Sequence, residues 1–323
     1  MKRVARHTRS FFRLLRGMLI DGLIRRGRRE EMPRSLIIEP SNICNLRCSC
    51  CPQGSDTPAG GRARGVMSRE TFLQALRNID LPVREICLYL HGEPFLNKNL
   101  DFFVSQIDRL GKVLTTIYSN GYNVDLTLLQ KILAYKKVRF SFSMELLDKE
   151  RYERLREPAR YEEAVASLSA IDKIFAEHGR KYELTMIAGE EGGARDSCDW
   201  LFARYRQLKR VSFGARFPWP EHFYTGHLEG NISKRRKPCE QINGGVSVFW
   251  TGEVTACSYD FSGKLIIGNL TSTPLSRIYN SPRARAIRRD HLFRRWREIP
   301  TCKHCLLPRF ASKTTSVNRP GES

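Results

Sequence analysis

At 323 residues the chain can hold one barrel-sized domain plus a smaller module, and its ten cysteines group in short-spaced sets towards both ends. That pattern fits metal ligation in a reducing compartment and argues against a small disulfide-stapled secreted domain. The net charge of +21 sits at the ends: residues 1–35 carry 11 Lys/Arg against 3 acids, 231–323 carry 17 against 6, and the middle is near neutral at 27 against 25. Basic ends suit contact with nucleic acid, phospholipid head groups or a phosphorylated substrate, or are plain solvated surface. No run of 18 or more apolar residues occurs, which argues against a transmembrane helix.

Residues 1–34 form a basic amphipathic segment in which Phe11, Phe12, Leu15, Met18, Leu19 and Leu23 recur at helical spacing between arginines. It suits packing on the fold, contact with an anionic membrane surface, or an Arg-rich transit peptide. Arg13, Arg16 and Asp21 interrupt the apolar stretch and speak against a secretory signal. Over 35–215, strand-like runs (36–39, 85–90, 113–118, 138–142, 182–187 and 211–215) alternate with helical patterns. The helices are expected at 69–78, 100–110, 126–134, 149–156 with 161–176, and 199–207. Six such repeats predict an α/β fold, a partial (β/α)6 TIM-like barrel. Residues 216–238, with Pro218, Pro220, Gly226, Gly230 and a basic run at 234–237, read as a connector. In 239–310, the runs 246–250 and 253–257 flank Thr251-Gly252 as a β-hairpin, and a helix is expected around 274–287. The polar end, 311–323, is expected to be a flexible tail.

Cys44, Cys48 and Cys51 form a C-x3-C-x2-C triplet directly after the first strand. Three thiolates at this spacing suit a [4Fe-4S] cluster with one iron open to a small ligand. C-x2-C elements also serve zinc sites and disulfides, but zinc wants a fourth nearby ligand, and Cys87 and His91 belong to the next βα unit. Barrel chemistry sits at the carboxyl ends of strands. The triplet follows strand one there, and His91-Gly92-Glu93-Pro94 follows strand two.

These motifs together resemble the radical S-adenosylmethionine (SAM) superfamily. The resemblance implies that the open iron chelates SAM, that an electron from the cluster cleaves its sulfonium, and that the released 5'-deoxyadenosyl radical abstracts hydrogen from a substrate. It implies SAM contacts at Gly92, Glu93 and Pro94, which match the family's G-G-E-P loop. It implies further contacts at Ser119 and Asn120, in a T-N-G-like loop, and at Ser141 and Ser143, where relatives read S-x-D-G ahead of a helix ending in I-R-G. Ordinary turn chemistry would also place hydroxyls and amides at those strand ends. Cys50, crowded between Cys48 and Cys51, is read as a neighbour of the cluster and not a ligand.

Cys239-x12-Gly252-x4-Cys257, followed by Cys302-x2-Cys305, resembles the SPASM/twitch module attached to many radical SAM enzymes, and Ile267-Gly268-Asn269-Leu270 matches a run common there. The resemblance implies an auxiliary [4Fe-4S] cluster on Cys239, Cys257, Cys302 and Cys305, although four thiolates suit zinc too. No cysteine follows Cys305, which allows one fully ligated auxiliary cluster. With every thiolate position filled, such a cluster suits an electron acceptor. Cys87 and Cys198 read as small buried hydrophobes or as a hydrogen donor to a substrate radical.

The single-auxiliary-cluster build is most similar to aminoglycoside-pathway enzymes such as 2-deoxy-scyllo-inosamine dehydrogenase, where hydrogen leaves a hydroxyl-bearing carbon and a ketone or epimer results. The expectation is a radical SAM oxidoreductase, cytoplasmic or peripheral to the membrane through its N-terminal segment. Its substrate would be a sugar, aminocyclitol or comparable metabolite, anionic or phosphorylated, and its electrons would come from flavodoxin or ferredoxin. The alternative enzyme is a maturase of a ribosomal peptide or protein side chain. A metal-stabilised nucleic-acid binder is the reading from another class. Aromatics interleave with cations at Phe293-Arg294-Arg295-Trp296-Arg297 but not at 234–237, and nucleic acid is not expected as a partner.

Overall fold

A computed structural model describes residues 33, 35–54, 61–187, 198–214, 239–303, 305 and 315–321. Apart from Pro33, the basic N-terminal segment and the 216–238 connector lie outside the described residues. The apolar runs form parallel strands β1 (Ser35–Ile38), β2 (Glu85–Leu88), β3 (Leu114–Ser119), β4 (Val138–Ser143), β5 (Tyr182–Ile187) and β6 (Leu208–Gly214), each paired with the next. Helices α1 (Arg69–Arg77), α2 (Leu100–Asp108), α3 (Leu126–Leu133), α4 (Lys149–Leu155), α5 (Tyr161–Glu177) and α6 (Asp199–Arg204) carry the chain between them. Local chemistry starts several of these helices. Ser68 Oγ accepts from Thr71 N at 3.0 Å, Asp125 from Leu128 N at 3.0 Å and Asp148 from Arg151 N at 2.8 Å. The α/β partial barrel expected from the repeats is present.

Alternating side chains give each strand two faces. One face packs on the helices, where Ile86, Leu88, Ile117, Phe140, Phe142, Leu184 and Val211 are buried in one core with Phe72, Phe103 and Leu129. Phe140, Phe142, Phe175 and Tyr182 meet edge-to-face there, with ring centroids between 5.0 and 6.2 Å apart. The opposite face, turned into the barrel, sets Cys87, Leu114, Tyr118 and Ile187 among a larger number of polar residues. It carries Glu85, Thr116, Arg139, Ser141, Ser143, Glu183, Thr185 and Arg210. Thr116 Oγ1 donates to Glu85, the Ser141 and Thr185 hydroxyls lie 2.9 Å apart, and Arg210 donates to Glu183 at 2.6 Å.

The C-terminal module extends the barrel sheet. β7 (Gly245–Val248) pairs parallel with β1, and β8 (Glu253–Thr255) and β9 (Ile266–Asn269) follow antiparallel. The expected hairpin turn holds Gly252 at φ +89, where a Cβ would also lie 2.4 Å from Thr271 Cγ2. Helices α7 (Glu240–Gly244), α8 (Leu275–Tyr279), α9 (Pro282–Leu292) and α10 (Pro300–Lys303) complete it. The one helix expected around 274–287 is two, because Pro282 has no N–H to continue α8 and Ser281 caps a new start at Ala284 N (3.2 Å).

Within the end expected to be a flexible tail, β10 (Thr315–Asn318) pairs antiparallel with β6, giving the order β10-β6-β5-β4-β3-β2-β1-β7-β8-β9. Arg319 anchors it, donating to the carbonyls of Leu208 (2.7 Å), Phe202 (2.8 Å) and Tyr205. No helix among the described residues is long and apolar enough to cross a membrane. Arg319→Ala should therefore destabilise the protein by about 1–3 kcal/mol through those orphaned carbonyls, read as a lower urea midpoint.

Candidate active site

The loop after β1 carries Cys44, Cys48 and Cys51 and is pinned at both ends. Arg47 N and Ser49 N donate to the carbonyls of Glu157 (2.5 Å) and Leu155 (3.1 Å), and Gln53 Nε2 donates to Asn42 O (2.8 Å) and to His91 O. Each triplet sulfur is met by N–H donors. Leu46 N (3.4 Å) and Asn120 Nδ2 (3.7 Å) reach Cys44, Arg156 Nη1 (3.6 Å) reaches Cys48, and the Gln53 backbone serves Cys51. Burial pushes the Cys44 thiol up to about 12, with the Glu93 charge adding to it, and pushes Cys48 and Cys51 upward as well. Cys50 lies close enough for its charge to raise Cys51 further.

The loop after β2 packs directly on this one. A Cβ at Gly92 would lie 2.3 Å from Ser41 O and 2.6 Å from Ile43 O, and Glu93 N donates to Ile43 O at 2.9 Å. Gly92 is therefore required by the cysteine loop's own backbone. Pro94 opens a 3-10 turn, Pro94–Leu96, in which Pro94 and Phe95 are buried. Glu93 is buried, and its carboxylate accepts from Ser119 Oγ (2.8 Å), Asn120 N (2.8 Å) and Phe95 N (3.1 Å). Burial raises Glu93 to about 7 against those donors, which pull it down. Asn120 in turn donates to Asn45 Oδ1 at 2.7 Å, so the β3 loop is tied to the triplet.

At the end of β4, Arg156 forms a buried fork with Glu145 (2.5 and 2.8 Å) and donates to Ser143 Oγ at 2.8 Å. Burial pushes Glu145 upward, but Arg156 outweighs it and holds the carboxyl below its ordinary value. The structure thus gathers Gly92, Glu93, Pro94, Ser119 and Asn120 around Cys44, and links Ser143 to Cys48 through Arg156. Ser141 lies against Thr185 of β5 instead. The sequence reading did not single out Arg156; its signal was the Arg closing the helix after strand four.

Glu39, at the end of β1, is fully buried beneath both loops. It takes two hydrogen bonds from Arg62 (2.9 and 3.0 Å), one from Trp250 N (3.1 Å), and lies 3.2 Å from His91 Nδ1. His91 Nε2 meets Ser258 O at 2.9 Å, next to Cys257. Burial alone would raise Glu39; His91 and Arg62 overcome it and hold the carboxyl at about 2. An acid closing an apolar strand was the available sequence signal.

The second set, Cys239, Cys257, Cys302 and Cys305, is wholly buried. Burial pushes Cys257 well up, followed by the charges of Cys302, Cys239 and Cys305, so the four lie close together. Asp260 organises them, accepting from Thr255 Oγ1 (2.6 Å), Leu265 N (2.8 Å), Lys264 N (2.9 Å) and Thr301 Oγ1 (3.2 Å), which ties the Cys257 loop to α10. Tyr259 N reaches Cys257 Sγ at 3.4 Å, and His291 Nε2 lies 3.2 Å from Cys302 Sγ. Among the described residues no three His, Cys, Asp or Glu converge as ligands of a single ion. Cluster thiolates each bind a different iron and need not converge on one point. Both sets fit iron–sulfur clusters: the thiols of Cys44, Cys48, Cys51 and Cys257, raised by burial, need a cation to ionise, and N–H donors stand at their sulfurs. Of the other cysteines, Cys198 is buried in the core and Cys87 sits on the inner side of β2, raised to about 12 by burial and Glu85.

A family model for the radical SAM superfamily matches residues 38–201, and one for the SPASM iron–sulfur cluster-binding domain matches 239–306. No curated protein matches the chain. Solved structures of similar fold include BtrN in complex with AdoMet and 2-DOIA, at 17% identity and TM-score 0.57, covering 86% of this chain and 94% of that one. Streptococcus suis SuiB bound to precursor peptide SuiA gives 16% and 0.62, covering 80% and 67%. The structure of anSMEcpe with bound AdoMet gives 14% and 0.60, covering 87% and 92%. At these identities the likeness is one of fold.

Gly92→Ala should expel the first cluster and Asp260→Ala the second. Iron and sulfide analysis should fall from about eight irons per chain to about four in each, with SAM binding lost only in the former. Because the Glu39 carboxyl is lowered from 4.5 to about 2, its stabilisation, roughly 3 kcal/mol, is complete above pH 4.5 and disappears as pH falls towards 2. Glu39→Gln should lower the denaturation midpoint strongly at pH 7 and far less near pH 3.

Proposed function

The chain belongs to the radical SAM superfamily and carries a C-terminal SPASM iron–sulfur domain, and from that footing we propose that it oxidises or epimerises a hydroxylated small molecule of the sugar or aminocyclitol kind. We assign Cys44, Cys48 and Cys51 to a [4Fe-4S] cluster that leaves one iron for SAM, and Cys239, Cys257, Cys302 and Cys305 to an auxiliary [4Fe-4S] cluster. When bound, these groups supply one-electron cleavage of SAM and a 5'-deoxyadenosyl radical that abstracts hydrogen.

The chain's own residues prepare this chemistry. Glu93 spends three lone pairs on Ser119 Oγ, Asn120 N and Phe95 N, so it shapes the SAM-side loop as well as offering it a negative charge. Arg156, held by Glu145, keeps a cation beside Cys48 and the hydroxyl of Ser143.

One observation carries the choice of substrate: on the barrel's inner face Glu85, Thr116, Arg139, Ser141, Glu183, Thr185 and Arg210 outnumber the apolar Leu114, Tyr118 and Ile187. Hydroxyls and paired charges at that density match a polyol, aminated or phosphorylated, better than an apolar side chain. A peptide substrate is the second reading, supported by a fold likeness to SuiB and anSMEcpe, at TM-scores of 0.62 and 0.60, that is no weaker than the 0.57 with BtrN.

Anaerobically reconstituted protein, reduced in the presence of SAM, should release 5'-deoxyadenosine. A correct polyol should raise the rate about tenfold and, when C-deuterated, pass its label to the product. Reduced, fully loaded protein that leaves SAM intact would sink the enzyme reading. Stimulation by peptides but by no polyol would move the assignment to a maturase.

A further inference from the structure

Helix α9 has two unlike faces. Inward, Ala284, Ile287 and His291 are buried at i, i+3 and i+7, and His291 Nε2 lies 3.2 Å from Cys302 Sγ. Outward, Arg285, Arg289 and Leu292 repeat at i, i+4 and i+7, and in the turn directly after them Phe293, Arg294 and Arg297 are exposed too. Leu292 is 49% and Phe293 41% exposed. Arg285, Arg289, Arg294 and Arg297 make no ion pair among the described residues, whereas Arg295 is held by Asp290 at 2.5 Å. Glu298 is the other acid between 282 and 303, and it too is exposed.

Two adjacent apolar side chains left in water inside a ring of unneutralised cations have the make-up of a docking patch. The centre gains from desolvation, and the rim steers an oppositely charged partner. Position selects the kind of partner. The helix that presents this surface touches, on its other face, the thiol of Cys302. A protein seated on Leu292 and Phe293 is thus separated from the auxiliary site by little more than the thickness of α9.

We propose that the outer face of α9 and the turn after it dock an acidic one-electron carrier protein, of flavin or [2Fe-2S] type, which exchanges electrons with the auxiliary cluster. The proposal rests on the reading of Cys239, Cys257, Cys302 and Cys305 as cluster ligands. One electron moves and no bond forms at this surface. When a substrate radical becomes a carbonyl it gives up one proton and one electron; the auxiliary cluster takes the electron, and the oxidised carrier removes it.

Single-stranded nucleic acid is the competing anion, and it wants aromatic faces free for stacking. Trp296 is only 5% exposed, and the Phe293 ring already has the Arg295 guanidinium 5.7 Å from its centroid.

The test uses the full chain, fully loaded, with R285E/R289E/R294E and L292S/F293S as variants. Each is mixed with a photoreduced flavodoxin of strongly acidic surface, and reduction of the auxiliary cluster is followed by freeze-quench EPR across ionic strengths, with SAM present to shift the first cluster's signal. Charge reversal should slow the reaction about tenfold or more and flatten its salt dependence. The apolar pair should weaken the complex about fivefold and leave the salt slope unchanged. Dithionite, which needs no docking, should reduce all three proteins alike. Equal flavodoxin rates and salt slopes in all three overturn the proposal. An oligonucleotide that binds this face tightly at physiological salt, with no effect of the variants on the carrier, overturns it in favour of nucleic acid. Wild-type protein holding about four irons instead of about eight shows separately that the auxiliary-cluster reading has failed, and the docking proposal falls with it.

Discussion

A single buried carboxylate joins the parts of this molecule that must act together. Glu39 ends β1, the strand from which the cysteine loop departs, and its oxygens hold Arg62, Trp250 N and the edge of His91. Arg62 also donates to Phe261 O at 2.9 Å and stacks its guanidinium 3.8 Å from the Phe249 ring centroid. One charge therefore reaches the Gly92–Glu93 loop through His91 and the C-terminal module through Trp250, Phe249 and Phe261. A carboxylate taken fully out of water is tolerated only when several donors surround it, so its neighbours cannot drift without exposing the cost. The barrel and module are positioned by this network as well as by the β1–β7 pairing.

The same logic governs the sulfurs. Burial pushes the thiols of Cys44, Cys48, Cys51 and Cys257 upward, and what makes them suitable ligands is the cation they would share together with the N–H groups already aimed at them. Arg156 shows how closely this is balanced. Its charge favours a thiolate at Cys48, and Glu145 cancels most of that charge before it can attract a stray anion. At the other site the partner of Cys302 is a buried imidazole instead of a guanidinium, with His291 Nε2 3.2 Å from the sulfur.

Motifs were legible in the sequence wherever chemistry is local. The cysteine spacings, the loop after strand two and the βα alternation all depend on neighbours within a few residues, and the six strands lie close to where the apolar runs put them. Pairing between distant segments left weaker traces. Nothing in Gly245–Val248 announces that it will add to β1 instead of standing as a separate hairpin, and the polar run Thr315–Asn318 becomes a strand only because β6 offers an open edge and Arg319 finds three carbonyls. Arg156, Glu39 and His291 were each visible as an oddity, a charge or an imidazole on an apolar face. Their roles depend on partners 11 to 211 residues away that no spacing encodes.

Joining the module to the barrel through β1 has a consequence for chemistry. A module tethered only by the 216–238 connector could take many positions, and electron exchange between two sites falls steeply as their separation grows. Here the loop that carries Gly92 and Glu93 and the loop that carries Cys257 are held by the two nitrogens of His91, one turned to Arg62 and Glu39 and the other to Ser258 O. Burial raises Tyr89, with the charge of Tyr259 among those adding to it, so a tyrosine from each side lies near this bridge. The relation between the two cysteine sets is thus fixed by a sheet, a buried ion pair and one imidazole. The spacing between the two cysteine sets is thereby settled before any substrate arrives.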